Sequence, residues 1–302
     1  MQRRFVVIES RARGLALAAR QRVGLLAHVV AGAAELEVAE RDHHVAAARV
    51  DRLDEIDGIE QGLDRLEEGA RLAAAGSLDE RIVLITENAR GRVAFSTSLG
   101  IEDQVILHAI ATTRAPVDVF TLDTGRLFPE TLDTIAASEQ RYGLKIRVVA
   151  PDPLELERLV ARDGIHGFRF SKAARTSCCE VRKVVPLRRA LDGAHSWITG
   201  LRREQSAGRS DVPFTVRDWS YGVLKINPLA DWSLARLEDY VATNDVPVNA
   251  LHGKGFPSIG CQPCTRAVLP GEDIRAGRWW WENPDHKECG LHTRAQPAEA
   301  AE

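Results

Sequence analysis

The sequence predicts an α/β protein, a parallel sheet flanked by helices. Three observations carry that reading. Short β-branched runs alternate with segments of helical period. The first two strand-like runs end in segments rich in hydroxyls and glycine, at the place where an open α/β sheet binds ligands. Between and after these units lie four cysteines in two pairs, Cys178-Cys179 and Cys261-Cys264.

In chain order, residues 1–45 are rich in Ala, Arg, Val and Glu without turn punctuation, and read as a helical or disordered extension. Residues 46–90 form a helical lead-in, with Leu53, Ile56, Ile59, Leu63 and Leu66 at helical spacing. Residues 91–270 are the nucleotide-binding core. Arg92–Ser98 is strand-like, Glu102–Thr113 helical, Val117–Asp123 a second strand, and Pro129 opens a helix from a first-turn position. Lys145–Ala150 is a third strand, Leu154–Ala161 a helix, Cys178–Leu191 another, and Ser196–Gly200 a short strand. Ser233 is the expected N-cap of a helix reaching Asn244. Beyond Val246 the chain turns rich in Gly and Pro, which places Cys261 and Cys264 in a loop. Residues 271–302 read as a mobile C-terminal tail carrying Cys289.

Composition bounds function. The chain has 302 residues and a formal net charge of -3, so nothing global points to nucleic acid or to an anionic membrane, and any anion site is a local cluster. The basic start and the apolar run Val23–Ala34 imitate a signal peptide loosely, but His28 interrupts the run, and no stretch is long enough to span a bilayer. Five cysteines in a chain of this length are no disulfide scaffold; they fit a reducing compartment, the cytoplasm.

Two loops suit an anionic ligand. Ser96-Thr97-Ser98-Leu99-Gly100-Ile101-Glu102-Asp103 follows a strand and opens a helix, whose N–H groups and dipole attract phosphate; a plain turn with serine caps would read the same way. Leu122-Asp123-Thr124-Gly125 ends the neighbouring strand. Arg202, Arg203, Arg275 and Arg278 are the guanidinium groups available to an anion, and Lys183 follows Cys179 by one helical turn. The two cysteine pairs suit zinc or an iron–sulfur cluster, with buried thiols and a redox dithiol as the alternatives; adjacency of Cys178 and Cys179 favours iron–sulfur. Cys289, flanked by His286, Lys287 and His292, is either a nucleophile with thiolate character or a spare thiol.

The segments SLGIEDQVILH, LDTGRLFPETLDT, CCEVRKVVPL, TGLRREQS, KINPLADW, VPVNALHGKGFPSIGCQPCTRAV, EDIRAGRWWWE and KECGLH cover roughly residues 92–292. With them the chain resembles the assimilatory adenylyl-sulfate reductases, within the group that includes the phosphoadenylyl-sulfate reductases. The resemblance implies an adenine-nucleotide α-hydrolase-like (PP-loop) fold and a [4Fe–4S] cluster on Cys178, Cys179, Cys261 and Cys264. It implies that Lys183 links that cluster to the active site, and that the cluster does not pass electrons to substrate. Ser96, Ser98, Gly100 and Asp103 match the substrate loop, Leu122 and Thr124 the adenosine contact, and Arg202 or Arg203 with Arg275 and Arg278 the anion contacts. The implied reaction reduces adenylyl sulfate (APS) to sulfite and AMP. Cys289 is the nucleophile, an S-sulfocysteine the intermediate, and thioredoxin or glutaredoxin the reductant. The setting is sulfate assimilation and cysteine biosynthesis, with homo-oligomerisation open. Three rivals stand beside it: an ATP-pyrophosphatase enzyme, disfavoured because Thr97-Ser98-Leu99 replaces the glycine pair of such loops; a non-enzymatic zinc or iron–sulfur module; and a reductase of phosphoadenylyl sulfate (PAPS) or of both nucleotides.

Overall fold

The computed structural model describes residues 67–282 and Leu291. The extension over residues 1–45, residues 46–66 of the helical lead-in, and Cys289 lie outside the described residues.

Residues 67–74 are helical, and α1 (Leu78–Glu87) follows with Ser77 as N-cap, its hydroxyl accepting from the Glu80 N–H. Then come β1 (Val93–Ser96), α2 (Ile101–Thr113), β2 (Val117–Leu122), α3 (Pro129–Tyr142), β3 (Arg147–Val149) and α4 (Pro153–Asp163). α3 and α4 each open on proline, and Asp152 caps α4 by accepting from Glu155 N–H. α5 (Lys172–Cys179) runs through a π turn, Glu180–Val184, into α6 (Val185–Leu191). β4 (Ser196–Ile198), β5 (Thr215–Asp218), β6 (Val223–Ile226) and α7 (Leu234–Asn244) complete the described core, with Ser233 capping α7 as expected.

The six strands form one sheet in the order β3-β2-β1-β4-β6-β5. All neighbours are parallel except β5, which pairs antiparallel to β6 at the edge. Alternate side chains fill opposite faces. Phe95 and Ile198 join Ile82, Ile106, Trp232 and Leu237 on one side. Ala94 and Trp197 join Phe120, Leu187 and Leu191 on the other. Both faces are therefore covered, as the sequence pattern requires of a parallel sheet.

The sequence gives no expectation of β5 or β6. VLKI is only four residues long and carries a lysine, yet all four are buried, because Lys225 pairs with Asp218 at 3.6 Å. The Cys178–Leu191 helix starts earlier, at Lys172, and is interrupted by the π turn. Within the stretch expected to form a mobile tail, the described residues 271–282 are anchored: Thr265 bridges to Arg278, and Arg278 and Trp279 are buried.

A buried ion pair ties the end of β4 to the start of α2. Arg202, 2 % exposed in its side chain, donates from Nε and Nη2 to Glu102 at 3.1 and 3.0 Å, and from Nη1 to the Trp232 carbonyl at 3.1 Å. Removing one member of such a pair strands the other. Arg202→Met should therefore lower unfolding free energy by about 3 kcal/mol in urea titration; a loss of less than ~1 kcal/mol would show that the pair is not a structural pin.

Candidate active site

The strand order reverses around β1, with β2 on one side and β4 on the other. Loops leaving the carboxyl ends of these three strands separate there and open a cleft. A cavity of about 230 Å³ occupies it. Ser96, Thr97, Ser98 and Gly100 line it from the loop after β1, Leu122 and Thr124 from the end of β2, and Thr199 and Gly200 from the end of β4.

The loop after β1 is held in one shape by its own bonds. Thr97 N–H donates to the Phe120 carbonyl at 2.8 Å, and Leu99 N–H donates to Thr97 Oγ1 at 3.0 Å. Leu99 takes a left-handed backbone, φ 60°, while its side chain is wholly buried. Gly100 is the N-cap of α2 and offers no side-chain cap, so the first helical N–H groups are left for other acceptors. Asp103 lines the cavity but points into the loop: its carboxylate accepts both the N–H and the hydroxyl of Ser98 at 2.6 Å. Burial pushes the Asp103 carboxyl up to about 6, against the opposing pull of the Ser98 bonds. Gly200 is required beside it, because a Cβ there would lie 2.3 Å from Asp103 Oδ1.

The four paired cysteines converge. Cys178 and Cys179 end α5, and Cys261 caps a 3₁₀ turn, Gln262–Cys264, that ends on Cys264. All four line one small cavity, with Arg126, Arg175, Arg182, Lys183 and Arg278 around it. None is in a disulfide. Among the described residues no three ligating side chains close into a shell for a single metal ion. Burial raises the Cys264 thiol to about 12, helped by Cys261 and Cys179. Cys261 is also desolvated, yet Lys183, the Thr124 hydroxyl, Arg278 and Arg182 together hold its thiol below the ordinary value. Thr124 Oγ1 lies 3.3 Å from Cys261 Sγ. The π turn after Cys179 carries Lys183 to this point, on the wall of both cavities.

Arg275 and Arg278 also line the larger cavity, from a turn rather than a helix, with Arg278 N–H donating to the Arg275 carbonyl at 2.9 Å. The Arg278 guanidinium fits over Gly260, where a Cβ would come within 2.2 Å of Nη2. It also stands 4.7 Å from the Trp279 ring centre, with Arg175 at 4.6 Å from the same ring.

Arg202 and Arg203 do not reach the cavity. Arg202 is committed to Glu102, and Arg203 donates from Nε to the Val212 carbonyl at 3.0 Å while stacking on Phe214. The cation this loop does bring to the wall is Arg209, which donates to Gln205 Oε1 at 2.6 Å. Gln205, His252 and Ser258 are further lining residues that the sequence reading missed, and Glu102, within the anion loop it singled out, lines the cavity too. Repetition of Arg across RREQSAGR was the one available signal for Arg209. Leu291, two positions beyond Cys289, lines the cavity and packs with the Phe120 and Leu187 cluster.

Residues 92–267 match the family described as the phosphoadenosine phosphosulfate reductase domain. The chain is 55% identical over 202 residues to the adenosine 5'-phosphosulfate reductase of Agrobacterium fabrum, covering 67% of this chain and 78% of that one. It is 52% identical over 202 residues to the adenosine 5'-phosphosulfate reductase of Allochromatium vinosum, covering 67% and 79%. Its structure is similar to that of phosphoadenylyl-sulfate (PAPS) reductase from Candida auris in a phosphate complex. The TM-score is 0.56 at 27% identity, over 66% of this chain and 94% of that one.

The carboxyl of Asp103 makes a linkage prediction. Its folded value of about 6 lies above the model-compound value of 3.8, so the fold binds the proton more tightly than the unfolded chain does. Stability from this group is complete below the unfolded value and is lost as pH rises towards the folded one. Asp103→Asn, which cannot ionise, should gain in thermal midpoint relative to the parent between pH 4 and pH 7. A midpoint difference that stays flat over that range would contradict the assignment.

Proposed function

The chain belongs to the phosphoadenosine phosphosulfate reductase family, and from that premise we propose that it reduces adenylyl sulfate to sulfite and AMP. The observation that carries the proposal is the shared wall. Lys183, Cys261, Arg278 and Trp279 line both the cleft at the strand ends and the cavity between the four thiols. A nucleotide cleft edged by cations and joined to a thiol cluster suits a phosphosulfate and a thiol-based reduction.

The proposed roles follow from placement. Gly100 and the start of α2 offer N–H groups to the nucleotide. Ser96, Ser98, Leu122 and Thr124 line the wall against which the nucleoside packs, and Asp103 holds the Ser98 loop in place. Arg275, Arg278, Arg209 and Lys183 neutralise charge on the phosphate and sulfate oxygens. The Cys289 thiolate attacks the sulfate sulfur. An S–S bond forms, the bridging S–O bond breaks, and AMP leaves with that electron pair. One thiolate of a dithiol protein such as thioredoxin or glutaredoxin then attacks Cys289 Sγ and expels sulfite. Its second thiol resolves the mixed disulfide, which returns Cys289 as thiol and leaves the donor oxidised. Placement of Leu291 on the cavity wall supports Cys289 as the nucleophile, since the two lie two positions apart.

A [4Fe–4S] cluster fits the donor set of Cys178, Cys179, Cys261 and Cys264. Two buried and two half-buried thiols lining one small cavity suit an inorganic core held by four sulfurs, and the surrounding cations balance its thiolates. When bound, the cluster supplies a fixed charge and a staple joining α5 to the Cys261 loop. No helix among the described residues is long and apolar enough to cross a membrane.

Mass spectrometry of the protein mixed with APS, reductant withheld, should show one sulfonate added at Cys289. Cys289→Ser should keep iron and sulfide at the parent level while losing the adduct and all sulfite release. Sulfite release from Cys289→Ser at the parent rate would reject the nucleophile. Faster release from PAPS than from APS would move the proposal to the other nucleotide.

A further inference from the structure

One buried side chain beside the cleft does more than fill the core. Trp197, on β4, is 1 % exposed, and its indole Nε1–H donates to Ser96 Oγ at 2.8 Å. Both residues line the cleft. The indole is fixed from two sides: Lys225 Nζ stands 4.7 Å from its ring centre, and Tyr221 meets it edge-on at 5.5 Å. Lys225 is itself buried and held by Asp218 from β5. The edge hairpin thus immobilises the ring, and the ring reaches across to the end of β1.

A serine hydroxyl has one hydrogen and two lone pairs, and by itself it can either accept from a ligand or donate to one. The indole N–H is donor only. By occupying a lone pair of Ser96 it turns the Ser96 hydrogen away from itself. Among the described residues that hydrogen has no protein acceptor, and Ser96 Oγ stands on the cleft wall. We infer that Trp197 is a positioning residue that presets the Ser96 hydroxyl to donate to an oxygen acceptor of the bound nucleotide. The rotor is set before the ligand arrives, so little ordering cost falls on binding. This inference rests on the reading of the cleft as the nucleotide site.

The test is a double-mutant cycle on AMP binding to the cluster-loaded protein. Ser96→Ala and Trp197→Phe should each weaken AMP by about tenfold, the scale of one hydrogen bond. The double variant should bind no more weakly than Ser96→Ala alone, because the indole acts only through that hydroxyl. Trp197→Phe binding like the parent while Ser96→Ala weakens would overturn the inference and leave the nucleotide site standing. Fully additive losses would also overturn it, by showing that Trp197 acts through packing. Parental binding by Ser96→Ala would remove Ser96 from the nucleotide site and end both readings of that residue. Should Trp197→Phe not fold, ¹⁵N-indole labelling gives a second readout. AMP should move the Trp197 N–H resonance in the parent and leave it unmoved in Ser96→Ala; an unmoved parent resonance rejects the relay.

Discussion

Positive charge buried at the carboxyl edge of the sheet is the constraint around which this molecule is organised. Buried guanidinium groups persist only with partners. Three have carboxylates: Arg202 has Glu102, Arg175 has Glu282 at 2.5 Å, and Arg81 has Asp231 at 2.6 Å. Others are aimed at backbone carbonyls beside the thiols. Arg182 donates to the Thr124 carbonyl at 2.5 Å, Arg126 to that of Ile165, and Arg278 to that of Ile259 at 3.0 Å. A carbonyl satisfies a donor without cancelling its charge. Field from Arg182 and Arg126 therefore falls on the cavity between the thiols that they line, where thiolates supply the compensating anions. The site is built to be filled by negative charge.

That arrangement explains which parts of the site could be read from the chain. The strand-to-helix loop and the paired cysteines were legible because their chemistry is local: a serine-rich turn before a helix, two thiols on one tight turn. β1 to β4 were legible from β-branched runs between helices. β5 and β6 were not, because each is only four residues long and carries a charge, on Asp218 and Lys225, whose pairing across the strands the sequence does not show. The π turn at Glu180–Val184 leaves no mark in composition. Lys183 lies within it, on the thiol cavity's wall as its spacing from Cys179 foresees, and on the wall of the larger cavity, which that spacing does not.

The two adjacent arginines after β4 show the limit most clearly. Sequence supplies charge but not direction. Arg202 points inward because Glu102, a hundred positions earlier, waits at the start of α2. Arg203 turns along the loop to the Val212 carbonyl. The cation that does reach the cleft, Arg209, lies where a 3₁₀ turn carries it round, with Gln205 as its acceptor. Similarly, Gly260 reads as a loop residue until Arg278 is seen to occupy the space its Cβ would take.

Backbone strain marks the same edge. Leu99 and Trp279 both line or border the cleft, and both hold a left-handed backbone, at φ 60° and 40°. Such a conformation costs a non-glycine residue about 1–3 kcal/mol. Glycine would remove that cost, yet neither position is glycine. Full burial of a large apolar side chain returns about 1.5–3 kcal/mol, and Leu99 and Trp279 are 0% and 1% exposed. Each side chain therefore acts as an anchor that drives its loop into a shape the backbone alone resists. Leu99 fixes the turn that exposes the N–H groups of α2, and Trp279 fixes the turn that carries Arg278 over Gly260. Leu99 is held by the hydrophobic core and Trp279 by the Arg175 and Arg278 guanidinium groups against its ring, so the geometry that meets the ligand is set before the ligand is there.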